Sequence, residues 1–219
     1  MHLLDWLQKT WRGTLLNLTA AAIALHTWTR EVNPGNLEPE LASGKWAIRF
    51  LLLCLLMSPL STYLGWKQAI KLRKPAGLWA AAFAGMHFLY YLIEEPEAKY
   101  LSLPLQPFIA LGLVTLIILA SLTITSNRFA MRKLGKNWKR LHRAVYAAGV
   151  LGMYHGLLAA VTSKKAFVRD PGAPRELAIY LGILTLLLYI RIPQVREWLT
   201  RRRETRPALR RGQAQVDGA

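Results

Sequence analysis

Six apolar stretches, separated by polar and basic segments, constrain the fold of this chain more than any other feature of its sequence. They run over 13–28, 46–64, 77–93, 106–125, 145–161 and 177–192. Each is near the length of about 17 to 25 residues that crosses a bilayer as a helix, and a bilayer interior admits only helices and closed barrels. The sequence therefore predicts an all-α bundle of six transmembrane helices over 1–195, followed by a basic, disordered tail over 196–219.

The charge distribution predicts how these helices are oriented. Most of the 29 Lys and Arg residues lie before the first, third and fifth stretches and after the sixth, whereas most of the 12 Asp and Glu lie in the other segments. The positive-inside rule then places both termini in the cytoplasm. Topology and contact with anionic membrane lipids account for the net charge of +17, so no nucleic acid partner is predicted.

Two histidines are predicted at matching depths in the third and fifth helices. His87 follows Gly77 by ten residues, and His155 follows His142 by thirteen, which are rises of about 15 Å and about 20 Å. An imidazole inside a membrane marks a functional site when it pairs, lines a cavity or binds a metal. A haem between two helices needs an axial nitrogen from each side at one level. We therefore predict that His87 and His155 are the iron ligands of a haem held between helices 3 and 5.

Small and aromatic residues surround these histidines. Gly152 and Gly156 flank His155 and would let a flat macrocycle approach the backbone, although such glycines also serve ordinary helix packing. Trp79 and Phe83 precede His87 by eight and four residues on one helix face. They would either shorten an electron-transfer hop between cofactors or simply fill the core.

A second, inner site is predicted at His142, at the mouth of the fifth helix. The corresponding position on the third helix, fourteen residues before His87, is Arg73 rather than histidine. An inner haem would then have an unusual or missing second ligand, or Arg73 would pair with a haem propionate or a flavin phosphate. On one ideal helix His142 and His155 would lie about 140° apart, so either a bend among Gly149, Gly152 and Gly156 or different orientations of the two rings must make up the difference. The alternative is a hydrated interfacial histidine.

The motifs around these residues carry a family resemblance. They comprise Gly77–Leu78–Trp79, Ser58–Pro59–Leu60, and the run LGKxWxxLHxxVY, which begins at Leu134 and contains His142, followed by His155. The chain resembles the MsrQ (YedZ) family, within the ferric-reductase-like transmembrane superfamily, over nearly its whole length up to about Ile192.

This resemblance implies the haem-binding subunit of a methionine sulfoxide reductase system in the bacterial inner membrane. It implies one haem b and a second less regular one, with FMN or quinone as further cofactors. Electrons would come from the quinone pool or a cytoplasmic flavin reductase. They would leave to a periplasmic, molybdenum-containing methionine sulfoxide reductase. The sulfoxide chemistry is expected in that partner, so no catalytic residue is assigned in this chain.

Two other functions compete with this one. A stand-alone transmembrane haem metalloreductase would carry flavin and nicotinamide domains after its last helix, and about 27 residues follow Ile192, too few for a domain. A non-redox transporter with a histidine relay would place Asp or Glu along a pathway inside the membrane. The predicted spans carry no mid-span Asp or Glu. A visible absorption spectrum separates the transporter from the two haem proteins.

Overall fold

The computed structural model describes residues 3–29, 39–94, 107–162, 168 and 170–200, with side chains from residue 11 onward. Within these ranges the chain is helical and contains no β-strand, which confirms the all-α class. The helices are α1 (Leu3–Thr29), α2 (Pro39–Tyr63), α3 (Ala69–Glu94), α4 (Pro107–Ile124), α5 (Arg128–Leu134), α6 (Lys136–His142), α7 (Ala144–Thr162), α8 (Ala173–Tyr189) and α9 (Pro193–Thr200).

Four helical segments among the described residues have the length and apolar character of membrane spans. They are α2, α3 as far as Ile93, α4, and α6 taken together with α7. A fifth arises if α8 and α9, which meet at a bend of 76°, form one broken span. Large apolar side chains such as Leu113, Ile117 and Ile124 are exposed on the outside of the bundle, where lipid would cover them. Several membrane spans are therefore present, and the count of six stays a prediction.

The bundle is built from two helical hairpins with a helix on either side. α2 packs along α3, α4 packs along α7, α8 covers α7 and α2, and α1 lies against α3 and α2. Leu55, Phe83, Met153 and Leu184 are buried at the centre. We call the end where α2, α4 and α8 begin the outer end, and the opposite end the inner end. These names follow the predicted topology.

Several helices begin before the predicted apolar stretches: α1 begins at Leu3 and α2 at Pro39, ahead of the stretches 13–28 and 46–64. α3 begins at Ala69, eight residues before the apolar stretch, because the intervening Lys and Arg residues are good helix formers even though they are polar. The tail predicted from 196 starts inside α9, whose first residue is Pro193, a residue favoured at that position. Residues 201–219 lie outside the described residues.

Candidate functional site

The structure brings His87 and His155 together at the outer end. His87 lies on α3 and His155 on α7, and their ring centroids are 5.9 Å apart with the ring planes at 70°. The Nδ1 atom of His87 is 2.9 Å from the carbonyl oxygen of Glu40. The Nδ1 atom of His155 is 2.6 Å from the carbonyl oxygen of Phe108. Each imidazole is therefore held against the first turn of a neighbouring helix, α2 or α4.

These hydrogen bonds determine which ring nitrogen can bind a metal. A carbonyl oxygen only accepts, so each Nδ1 carries the proton and each Nε2 keeps its lone pair. With a metal–nitrogen bond of about 2 Å and an imidazole radius of about 1.1 Å, two rings on opposite sides of one ion have centroids about 6 Å apart. The separation of 5.9 Å between His87 and His155 agrees with that geometry.

The donor set suits an iron macrocycle better than a bare ion. Among the described residues, no group of three or more His, Cys, Asp or Glu side chains comes together as a metal site. Two imidazole nitrogens are too few for a zinc or copper site of ordinary coordination number. They are sufficient where a macrocycle supplies the other four ligands. The residues present thus fit a haem with two histidine ligands.

Aromatic rings fill the space inward of His87. The ring of Phe83 stacks on Phe50 at 5.4 Å and lies 6.4 Å from Trp46 and 6.0 Å from Trp79. The indole Nε1 of Trp79 donates to Asn17 Oδ1 on α1 at 3.0 Å. Trp79 and Phe83 are therefore neighbours, as the helical spacing predicts, and their part in electron transfer stays a prediction.

The predicted macrocycle glycines lie at helix contacts. A Cβ at Gly152 would lie 3.2 Å from Thr115 Cγ2 on α4. A Cβ at Gly156 would lie 3.5 Å from Ile48 and 3.6 Å from Leu177. These contacts bring α7 close to its neighbours, and a role for the two glycines in holding a macrocycle stays a prediction.

A cavity opens beside this site at the outer end. It has a volume of about 330 Å³ and is lined by Pro107, Phe108, Leu158 and Thr162. Phe108 also supplies the carbonyl that binds His155, and its ring centroid is 6.4 Å from that imidazole. The pair of histidines is therefore close to an opening between α4 and α7.

An ion cluster that the sequence analysis missed ties α2 to α8 at the outer end. Glu176 accepts from Lys45 Nζ at 2.5 Å and from Arg49 Nη2 at 2.6 Å, and Lys45 also pairs with Asp170. The hydroxyl of Tyr180 donates to Glu176 and accepts from Arg49 Nε at 2.7 Å. Each cation of the cluster thus meets a carboxylate. The contacts join residues far apart in sequence, so no local pattern predicts them.

His142 lies at the inner end, in a polar and aromatic setting. Its Nε2 is 3.2 Å from Thr125 Oγ1, and the Trp138 ring stacks on the imidazole at 4.0 Å. The Trp138 indole donates to the Thr125 carbonyl at 2.9 Å. The α-helical bonding pattern is interrupted at Arg143, whose N–H bonds three residues back to Arg140. This break comes before the glycines where a bend was predicted, and it places His142 and His155 on different helices.

Arg73 shares the inner end with a second arginine that the sequence analysis did not single out. Arg73 donates to Ser58 Oγ at 3.2 Å, and Arg191 donates to the carbonyl of Leu55. The Arg191 guanidinium also lies 5.1 Å from the centroid of the Tyr146 ring. Both arginines are half-buried, and neither forms an ion pair with a carboxylate of the described chain.

Most basic side chains around these arginines are exposed to the surroundings. The exposed residues of the inner end include Lys67, Lys71, Lys74, Arg132, Lys133, Lys136, Lys139 and Arg140. The basic residues of the inner end are therefore of two kinds. The exposed ones are explained by the positive-inside rule, whereas Arg73 and Arg191 are half-buried.

Comparison with known proteins agrees with this arrangement. Residues 43–169 match the family described as ferric reductase like transmembrane component. The protein-methionine-sulfoxide reductase heme-binding subunits MsrQ of Salmonella paratyphi B and Salmonella newport are each 32% identical to the chain over 202 residues, covering 87% of this chain and 96% of the relative. The chain belongs to the MsrQ family.

Family membership agrees with the several apolar helices, and the protein is a multi-pass membrane protein. The matched range 43–169 runs from the first turns of α2 to the end of α7. It thus contains both hairpins and the three histidines His87, His142 and His155. Arg191 lies beyond the range that the family model matches.

Proposed function

We propose that the protein is a membrane b-type cytochrome that carries electrons from a donor at its inner end to a partner at its outer end. The observation that carries this proposal is the pair of imidazoles, His87 and His155, 5.9 Å apart with each Nδ1 bonded to a backbone carbonyl. Haem, when bound there, supplies an iron that accepts and releases one electron at a time.

The protein's own residues prepare and shield the outer site. His87 and His155 bind through Nε2, while their Nδ1–H groups, bonded to Glu40 and Phe108, hold the ring orientation and increase the basicity of the ligand nitrogens. Phe83, which is 1% exposed, excludes water from the inward side.

Electrons enter, in this proposal, at the inner end beside His142. Arg73 and Arg191 present positive charge without a carboxylate partner in the described chain, which favours an anionic group there. A second haem with its propionates or the phosphate of FMN satisfies this requirement. Quinol from the quinone pool is the alternative donor; it is neutral, and its oxygens would accept hydrogen bonds from these arginines. A cytoplasmic flavin reductase is the donor in the FMN case. The basic segments at this end support the proposal that it faces the cytoplasm of a bacterial inner membrane. Both termini would then lie inside, with six spans.

The partner at the outer end is proposed from the relatives. Those relatives are named heme-binding subunits of a protein-methionine-sulfoxide reductase. We propose that the outer end faces the periplasm and passes electrons to a molybdenum-containing methionine sulfoxide reductase. The sulfoxide chemistry then belongs to that partner, and the present chain supplies electrons alone.

The test is spectroscopic and uses the purified full-length protein. The wild type is expected to show a reduced-minus-oxidised spectrum of low-spin b-type haem. His87→Ala and His155→Ala are each expected to remove that spectrum while the protein stays inserted in the membrane. His26→Ala, an exposed histidine of α1, serves as the control and keeps the wild-type spectrum. A full bis-histidine spectrum in either site variant would show that the pairing is wrong, and a wild type without haem would favour the transporter.

A further inference from the structure

A short repeat opens α2 and α4, the helices against which the two imidazoles lie. It reads Pro-x-Leu-Ala-x-Gly over 39–44 and Pro-x-Ile-Ala-x-Gly over 107–112. In each copy, the carbonyl of the second residue accepts the hydrogen bond of a histidine 47 residues further along the chain. The arrangement recurs in each hairpin, with one difference: the Glu40 carbonyl also accepts from the Ser43 hydroxyl at 2.8 Å.

The glycine at the end of each repeat lies where a side chain would cover that carbonyl. Gly44 follows Glu40 by four residues, and Gly112 follows Phe108 by four. In an α-helix, residue i+4 sits one turn above residue i, and its side chain leans back over the preceding turn. A side chain at either glycine would thus stand between the carbonyl oxygen and the imidazole.

The distances show how little room is present. A Cβ at Gly112 would lie 2.8 Å from both Nδ1 and Cε1 of His155, and a Cβ at Gly44 would lie 3.1 Å from Nδ1 of His87. Neither ring can retreat without lengthening its bond to the carbonyl. Gly85 and Gly182 differ, because a Cβ at either position has nothing within 4 Å. A Cβ at Gly152 or Gly77 would also approach a side chain, at 3.2 Å from Thr115 or 3.3 Å from Cys54, but among the described glycines only those of the repeat approach a histidine.

We propose that Gly44 and Gly112 are positioning residues for the axial ligands, an inference that rests on the function proposed above. They leave the first-turn carbonyls open, so that each imidazole donates its Nδ1–H to the backbone and presents Nε2 to the iron. A hydrogen bond of this kind fixes the tautomer and orientation of a ligating histidine and increases its basicity. The two glycines therefore influence both the retention of haem and the ease of its reduction.

The experiment compares Gly112→Ala and Gly44→Ala with the controls Gly85→Ala and Gly182→Ala, each in the full-length protein purified with its haem. The readouts are haem per chain, the g values of the low-spin EPR signal, and the midpoint potential. Gly112→Ala is expected to weaken haem retention by about 10- to 100-fold. Its remaining haem should have shifted g values and a higher midpoint potential, because a less basic ligand favours the ferrous iron. Gly44→Ala should show the same changes at smaller amplitude.

The outcomes separate this inference from the proposed function. If Gly112→Ala does not reach the membrane, Gly44→Ala decides, since its contact is less severe. Wild-type haem content, g values and potential in Gly44→Ala would overturn the inference, as would equal changes in Gly85→Ala. If His87→Ala and His155→Ala lose the low-spin haem while the glycine variants match the wild type, only the role of the glycines is wrong. If the histidine variants keep the low-spin haem signal, His87 and His155 are not the ligands. The inference about the glycines, which rests on that assignment, is then wrong as well.

Discussion

The outer and inner ends of the bundle differ in how their charges and histidines are satisfied. At the outer end, Lys45 and Arg49 meet Glu176, and the two imidazoles are bonded to backbone carbonyls. At the inner end, Arg73 and Arg191 bond to a hydroxyl and a carbonyl and have no carboxylate partner in the described chain. Among the described residues, Lys45 and Arg49 of the outer end meet a carboxylate, whereas Arg73 and Arg191 of the inner end do not.

This difference assigns different tasks to the two ends. Preorganised ligands with fixed tautomers suit a site that keeps its cofactor permanently and changes only its redox state. Half-buried cations without a carboxylate partner suit an anionic group that binds from outside the chain. The comparison therefore predicts that variants at the inner end disturb donation of electrons, while variants at the outer end disturb the cofactor or the stability of the bundle.

The largest effect is expected from His142→Ala. We predict that it lowers the rate at which the cytoplasmic donor reduces the outer haem by about 10- to 100-fold, because it removes the imidazole of the inner site. It should also lose up to one haem per chain. A small chemical reductant should still reduce the outer haem, which shows that the outer site is intact. Stopped-flow absorbance at the haem bands measures both rates.

A contrary result for His142→Ala would weaken the assignment of different tasks to the outer and inner ends. If the variant kept wild-type haem content and donor-driven reduction, His142 would be an interfacial residue held by Thr125 and Trp138. The inner cofactor would then have to bind elsewhere. His26→Ala, which changes an exposed histidine of α1, controls for the loss of a histidine.

An intermediate effect is expected from Arg73→Ala. We predict that it slows haem reduction by the cytoplasmic donor about 2- to 10-fold, which corresponds to the net contribution of one ordinary hydrogen bond. Lys67→Ala is the matched control, because Lys67 is an exposed basic residue of the same end. Rates measured in parallel at low and high salt separate the two roles, since exposed charges are screened more strongly. Equal rates in the two variants would show that Arg73, like the exposed basic residues of the inner end, serves only to orient the protein in the membrane.

The smallest effect on electron transfer is expected from Glu176→Gln. This change removes the carboxylate that Lys45 and Arg49 share at the outer end. We predict a loss of about 1–2 kcal/mol in the free energy of unfolding, or roughly 2–4 °C in Tm per kcal/mol, with an unchanged haem spectrum. Glu197→Gln, on the exposed surface of α9, is the control. Thermal unfolding of the purified protein checks the prediction, and a lost haem spectrum with unchanged Tm would contradict it.

Much of this architecture follows from rules that act along a single helix. Span length locates the helices, and a rise of about 1.5 Å per residue places His87 and His155 at one depth. The start of α3 at Ala69 was missed, because the polar residues before Gly77 do not differ from a loop in hydropathy. Arg73 was found by its spacing from His87, a feature that is also local.

Contacts between helices could not be predicted in this way. Gly44 and Gly112 touch histidines 43 residues further along, and periodicity carries no information about such a pair. The repeated Pro-x-x-Ala-x-Gly pattern was the available signal, since two helices opening with the same motif suggest the same contact. Arg191 had no signal of this kind, because it lies among the many arginines that follow α8.

The position of each imidazole and its acceptor carbonyl within one hairpin determines where the chain tolerates insertions and deletions. Extra residues between 94 and 107 leave both 47-residue intervals unchanged, because that segment joins the hairpins without belonging to either. A single deletion inside α7, between Ala144 and His155, would instead turn the imidazole by about 100° around the helix axis. We therefore expect variation in chain length to be tolerated between the hairpins, whereas the loss of one residue inside α7 would turn His155 away from the proposed haem site.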